Sequence, residues 1–159
     1  MKMGRGVEWA VHSCVNMSWT PPGEAVNSAR LASYYRLPAA YLNKQLQALV
    51  RAGILTSVSG PRGGFHLARV PENITVLDVV LALEGAEPAF RCEGILGDVP
   101  EADGRENFIR SCLISQTMRQ AELAWRQALA RQTIAGIADS MERRFPGDRD
   151  KAARHLAAG

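Results

Sequence analysis

The sequence predicts a mainly α chain with one small β-hairpin. Three observations carry that expectation. Apolar residues recur at helical spacing in three short segments between residues 6 and 53; the stretch ILTSVSGPRGGFHLARV reads as two strands around a glycine-rich turn; and helical periodicity returns over one long segment from residue 112. Helix, helix, helix, hairpin is the order of a winged helix-turn-helix, here followed by a long dimerisation helix.

The first helix is expected over residues 6–19, with Val7, Ala10, Val11, Cys14 and Ser18 as its inward stripe and TPPG at 20–23 stopping it. A second covers residues 27–35, with Ala29, Leu31 and Ala32 facing inward. Pro38 suits the first residue of a third helix, AAYLNKQLQALVRAG, which carries Leu42, Leu46, Leu49 and Val50 as its buried stripe and Gly53 as its C-terminal cap. Strands at 54–58 and 65–70 flank SGPRGG, a turn that presents Arg62 at its tip. Thr75 and Asp78 form a T-x-x-D capping box that opens a fourth helix, VLDVVLALEG. Residues 86–111 are rich in Gly, Pro and acids, without periodicity. A single helix is expected over residues 112–144, with Ile114, Met118, Ala121, Trp125 and Ala128 on one stripe, then Ile134, Ile137 and Met141. Nothing later in the chain can cover that stripe, so the helix is expected to be buried against its twin in a homodimer. The organisation is therefore a winged helix-turn-helix DNA-binding domain at 1–85, a loop at 86–111, a dimerisation helix at 112–144 and a tail at 145–159, mobile or a short frayed helix.

At 159 residues, 47% hydrophobic and 22% charged, the chain has the balance of a soluble globular protein with one modest core. No apolar run is long enough to cross a membrane, and MKMGRG leads into no signal-peptide core, so a cytoplasmic protein is expected. Cys14, Cys92 and Cys112 are too few and too far apart for a disulfide framework, which leaves thiol or metal chemistry open. Charge is unevenly placed. Between residues 25 and 71 the ionisable residues are Arg30, Arg36, Lys44, Arg51, Arg62, His66 and Arg69, with no acid, whereas residues 72–106 hold nine acids against Arg91 and Arg105. A basic face of this kind suits a polyanion.

In a helix-turn-helix the second helix of the pair enters the major groove. Its N-terminal half here displays Ala39, Ala40, Tyr41, Asn43, Lys44 and Gln47. Asn and Gln pair with adenine, Lys reaches guanine or phosphate, and alanines admit thymine methyls. Arg62 is placed for a minor groove, and Ser28 and Arg30 for phosphates. The expected partner is double-stranded DNA with an inverted-repeat operator. An enzyme is not expected: no nucleophile-base-orienter set or phosphate loop appears, GPRGG does not open a helix, and no small-molecule substrate is implied.

Glu8 and His12 lie one turn apart on the flank of the first helix, where their side chains can converge on one object or form a surface hydrogen-bonded pair. LPAAYLNKQLQALVRAGILTSVSGPRGGFHLAR resembles the DNA-binding core of the Rrf2 family of bacterial winged-helix regulators, which includes the iron-sulfur regulator IscR and the nitric-oxide sensor NsrR. The likeness runs on through ITVLDVVLALEG to the loop and long helix, over about residues 1–140, and GPRGGF followed closely by a leucine is its most specific piece. It implies a homodimer with crossing long helices and a metal cluster held between the 86–111 loop and the dimer partner. Cluster-bearing members usually group three cysteines in that loop; this chain has two, Cys92 and Cys112, with nineteen residues between them. The combination of Glu8 and His12 with AFRC at 89–92 and SC at 111–112 is similar to the redox-sensing, RsrR-like branch, whose cluster takes two cysteines from one protomer and Glu and His from the other. That likeness implies a 2Fe-2S cluster bridging the subunits. The switch expected from such a centre is a repositioning of the first helix, with Trp9 beside Glu8 as the bulky group best placed to move. Two alternatives use the same residues: a cluster-free thiol switch joining Cys92 and Cys112, and a zinc-stabilised regulator. Cys14 reads as structural, and neither His66 nor His155 reads as a ligand.

Overall fold

α1 (Arg5–Ser18) is the central helix of the larger of two units. The computed structural model describes residues 3–93 and 112–156. These fall into one unit running to residue 85 and resuming at 129, and a second spanning residues 86–128. No helix among the described residues is long and apolar enough to cross a membrane.

α1 buries Ala10 and Cys14 completely, with Val7, Val15 and Met17 beside them. The inward stripe is thus rotated from the expected one: Val11 and Ser18 are only half-buried, and Val15 and Met17 take their place. α2 (Ser28–Tyr35) starts on Asn27, whose side chain accepts the N–H groups of Ala29 at 2.9 Å and Arg30 at 3.3 Å. Leu31 and Ala32 face the core, but Ala29, expected inside, is exposed. The helix closes with Arg36 in the left-handed region at φ 54°, the Leu37 N–H donating to the Ala32 carbonyl at 2.8 Å and the Arg36 N–H to Ser33 at 3.1 Å.

α3 (Ala39–Arg51) begins one residue later than expected. Pro38 is its N-cap rather than its first residue, and the Pro38 carbonyl accepts the Leu42 N–H at 3.0 Å. Leu42, Leu46 and Leu49 are fully buried and Val50 half-buried. Gly53, at φ 67°, closes the helix as a Schellman cap: the Ile54 N–H donates to Leu49 and the Gly53 N–H to Val50, both at 3.0 Å. Ile54 and Leu49, which that cap brings together, are both buried.

The wing is β1 (Leu55–Val58) antiparallel to β2 (Gly64–Leu67), with Leu55 opposite Leu67 and Val58 opposite Gly64. Phe65 also exchanges two backbone hydrogen bonds with Val26, at 2.8 and 2.9 Å, pinning the wing to the segment before α2. This explains the glycine pair in the turn. A Cβ on Gly64 would lie 2.2 Å from the Val26 carbonyl oxygen, and one on Gly63 would lie 2.3 Å from that of Val58.

After a 3-10 turn at Pro71–Asn73 comes α4 (Val76–Glu84), with the expected capping box in full: the Asp78 N–H donates to Thr75 Oγ1 at 3.1 Å and the Thr75 N–H to Asp78 Oδ2 at 2.8 Å. The single helix expected over 112–144 is instead two, α5 (Leu113–Ala130) and α6 (Ile134–Arg144). The break is caused by pairing with the start of α4. The Val76 N–H donates to the Gln132 carbonyl at 2.8 Å and the Ile134 N–H to the Ile74 carbonyl at 2.9 Å, while Thr133 caps α6 through the Gly136 N–H at 3.0 Å. Ile134 is buried in the unit's own core, with Ile137 and Met141 packed against it, so this half of the stripe does not wait for a twin. The tail is also ordered as α7 (Asp148–Leu156), which buries Ala152 and Leu156 in the same core.

Gly64→Ala should destabilise the protein by at least about 2 kcal/mol, because two backbones must part to admit one methyl group. Thermal melting of this variant beside the parent protein measures it; equal melting temperatures would show that the close approach costs nothing.

Candidate functional site

The candidate DNA-reading face is on α3. Its leucines fix the helix from behind, which leaves Ala39, Ala40, Tyr41, Asn43 and Lys44 exposed and Gln47 half-buried. Arg62 is exposed at the wing tip, and Ser28 and Arg30 are half-buried on the first turn of α2. Arg36 is an exposed cation held in the turn between α2 and α3 by its left-handed backbone, a position that the charge run contains but that periodicity could not single out.

Behind this face stands the outer flank of α1. Glu8 is exposed, Trp9 and His12 are half-buried, and with Tyr35 and Leu37 they line an open pocket of about 170 Å³. The four-residue spacing thus brings the acid and the imidazole to one opening. The His12 ring lies 5.6 Å from that of Tyr35, whose hydroxyl accepts the Asn16 amide N–H. Burial, opposed by that hydrogen bond, pushes the Tyr35 hydroxyl up to about 12, so the ring is a fixed neutral wall. Trp9 meets Tyr41 edge-on, ring centroids 5.2 Å apart and planes at 79°. The residue expected to move therefore touches the first turn of the reading helix.

The second unit brings together Cys92 and Cys112, both free and half-buried. The Cys112 carbonyl accepts the Gln116 N–H at 3.0 Å, which makes Cys112 the residue that opens α5. The Ser115 N–H directed at its sulfur, helped by the Ile114 N–H, the Cys92 thiol and the Arg119 guanidinium, holds the Cys112 thiol below its ordinary range; desolvation opposes this. Arg119 was not singled out in the sequence, because its relation to Cys112 exists only once α5 is formed. Cys14 contrasts: full burial pushes it up to about 12, which agrees with its structural reading. Residues 94–111, including Ser111 of the SC pair and most of the expected cluster loop, lie outside the described residues.

The model of the Rrf2 family, described as an iron-dependent transcriptional regulator, matches residues 3–140. The chain belongs to the Rrf2 family. Among its relatives, the HTH-type transcriptional regulator YwgB of Bacillus subtilis is 29% identical over 139 residues, spanning 87% of this chain and 85% of YwgB. Its fold is similar to that of T. potens IscR, with a TM-score of 0.67 at 20% identity over 91% of each chain. It is also similar to CymR, the global cysteine regulator of B. subtilis, with a TM-score of 0.64 at 18% identity over 88% of this chain and 98% of CymR. Like its relatives, this Rrf2 protein is a DNA-binding transcriptional regulator rather than an enzyme.

In iron-free protein, alkylation of Cys112 should reach half its maximal rate at a pH below the roughly 8.5 of a free thiol, because its lowered pKa leaves thiolate present at more acid pH. Cys14 should stay unmodified until the protein unfolds. Peptide mapping after timed alkylation across pH reads both, and a Cys112 profile at or above the free-thiol value would contradict the α5-terminus account.

Proposed function

We propose that this Rrf2 regulator acts as a homodimer that senses redox state through a 2Fe-2S cluster bridging its subunits. Cys92 and Cys112 of one chain would hold it from one side, and Glu8 and His12 of the partner subunit from the other. The observation that carries this reading is the pairing: the Cys92 thiol lies close enough to Cys112 to help lower its pKa, and Glu8 and His12 share one pocket. The donor set fits such a group, with two ligands per iron and one thiol already biased toward thiolate, the form that binds metal. When bound, the cluster supplies reversible one-electron chemistry, at a potential raised by having imidazole and carboxylate in place of two thiolates.

The chain's own residues supply the rest. Tyr35, held by Asn16, packs against the His12 ring and orients it. Trp9, beside Glu8 and against Tyr41, passes a change at the pocket to the reading helix. On the operator, Tyr41, Asn43, Lys44 and Gln47 face the major groove, Arg62 enters a minor groove, and Ser28 and Arg30 meet phosphates. Homodimerisation is supported by α5, which leaves Leu113, Ile114, Met118 and Leu123 at 75, 61, 44 and 56% exposure, an apolar surface of the kind a partner covers. A two-fold dimer reads an inverted repeat, and binding the chromosome places the protein in the cytoplasm.

The thiol contact also favours a second reading, a cluster-free switch in which Cys92 and Cys112 form a reversible disulfide; zinc on the same residues is a third. Purification without oxygen, with an absorption spectrum and counts of iron, sulfide and zinc, separates them. The expected result is brown protein with equal iron and sulfide, both lost in His12→Ala and in Cys92→Ala. Colourless, iron-free protein overturns the cluster, and zinc in its place selects the third reading.

A further inference from the structure

Glu122 and Arg126 form an ion pair one turn apart on α5, with Nε to Oε1 at 2.9 Å and Nη2 to Oε1 at 2.7 Å. Their side chains are 26% (Arg126) and 14% (Glu122) exposed, against 73 and 76% for Arg91 and Glu87 in the same unit, so solvent screens them far less. Both members also reach off the helix. Arg126 Nη2 donates to the Ala86 carbonyl at 2.9 Å, and Glu122 Oε2 accepts the Ala89 N–H at 3.3 Å. The pair thus grips, at two points, the backbone that leads to Cys92. Cys112 precedes Arg126 by fourteen residues, about 21 Å of helix at 1.5 Å per residue. Cys92 follows Ala86 by six, about 20 Å of chain if extended at 3.3 Å per residue. The two runs are matched in length and opposite in direction, so an anchor at Ala86 and Ala89 delivers Cys92 to the start of α5.

Resting on the thiol pair of the proposed sensor site, we infer that Glu122 and Arg126 are positioning residues, whose ion pair holds residues 86–92 along α5 so that Cys92 meets Cys112. Neither touches the sulfurs. They act by cutting the freedom of the segment that bears one of them, which raises the effective concentration of the two thiols for each other and for any centre they grip together.

That concentration can be measured without metal. Iron-free protein is equilibrated with glutathione and glutathione disulfide. Two protein S–H groups then become one Cys92–Cys112 S–S bond, while glutathione disulfide accepts the two electrons and two protons and leaves as two glutathione thiols. Peptide mapping gives the equilibrium constant, and melting reports the fold. Glu122→Ala and Arg126→Ala should each lower the constant by about fivefold or more, the scale of one lost ordering hydrogen bond. Glu122→Gln, which keeps an oxygen for the Ala89 N–H, should retain more of it than Glu122→Ala. Should the alanine variants fail to fold, Arg126→Lys decides: its single amine cannot serve Glu122 and Ala86 together, and the constant should still fall by about threefold. A purely structural role would move the melting temperature and leave the constant alone; constants within about twofold of the parent in folded variants overturn the inference. No iron enters the assay, so a chain that proves unable to hold a cluster leaves this test standing, and a normal iron count with an unchanged constant defeats this inference alone.

Discussion

α1 is buried along one side and open along the other, and that division constrains everything built on it. On the buried side Ala10 and Cys14 are wholly enclosed, and Val7 and Met17 nearly so. Turning the helix about its axis would bring these side chains toward water, at about 1.5–3 kcal/mol for each large one. Glu8, Trp9 and His12 occupy the opposite flank. A change of charge there is therefore answered by side chains or by a slight slide, not by rotation. The reading helix is equally fixed, by three fully buried leucines. Between two helices locked into one core, the Trp9–Tyr41 contact joins groups that remain free to adjust, since Tyr41 is 45% exposed.

The two kinds of thiol in the chain show how burial and helix position divide chemistry among identical residues. Cys14 is surrounded by apolar neighbours and stays protonated and inert. Cys112 opens α5, where N–H groups with no helical partner point at its sulfur, and Cys92 is brought against it. Cys112 thus owes its character to a helix terminus, not to any feature of cysteine itself.

Much of the fold is legible in the sequence because it is decided locally. The leucine spacing of α3 with Gly53 at its end and the Thr75–Asp78 box are interactions within a few residues, and both stand as read. The break at Thr133 was not legible. Ile134, Ile137 and Met141 continue the helical period across it, and what interrupts the helix is backbone pairing with residues some sixty positions earlier. The order of α7 was hidden for a related reason: only Ala152 and Leu156 are buried in it, too few to make a period. At the site, the spacing of Glu8 and His12 predicted a common opening, but Ala29 was placed inward by pattern and lies outside. Glu122 and Arg126 look in sequence like any surface pair one turn apart, and their grip on residues 86 and 89 needs the tertiary path of the chain.

Operator affinity in the two redox states probes the coupling of pocket to reading helix most directly. Cluster-loaded protein would be titrated without oxygen against one operator, fully oxidised and then fully reduced, alongside Trp9→Ala. The two states should differ about tenfold or more in Kd, the range of ordinary allosteric coupling, and Trp9→Ala should lose most of that difference while still binding DNA. Equal affinity of the oxidised and reduced protein would contradict the coupling outright.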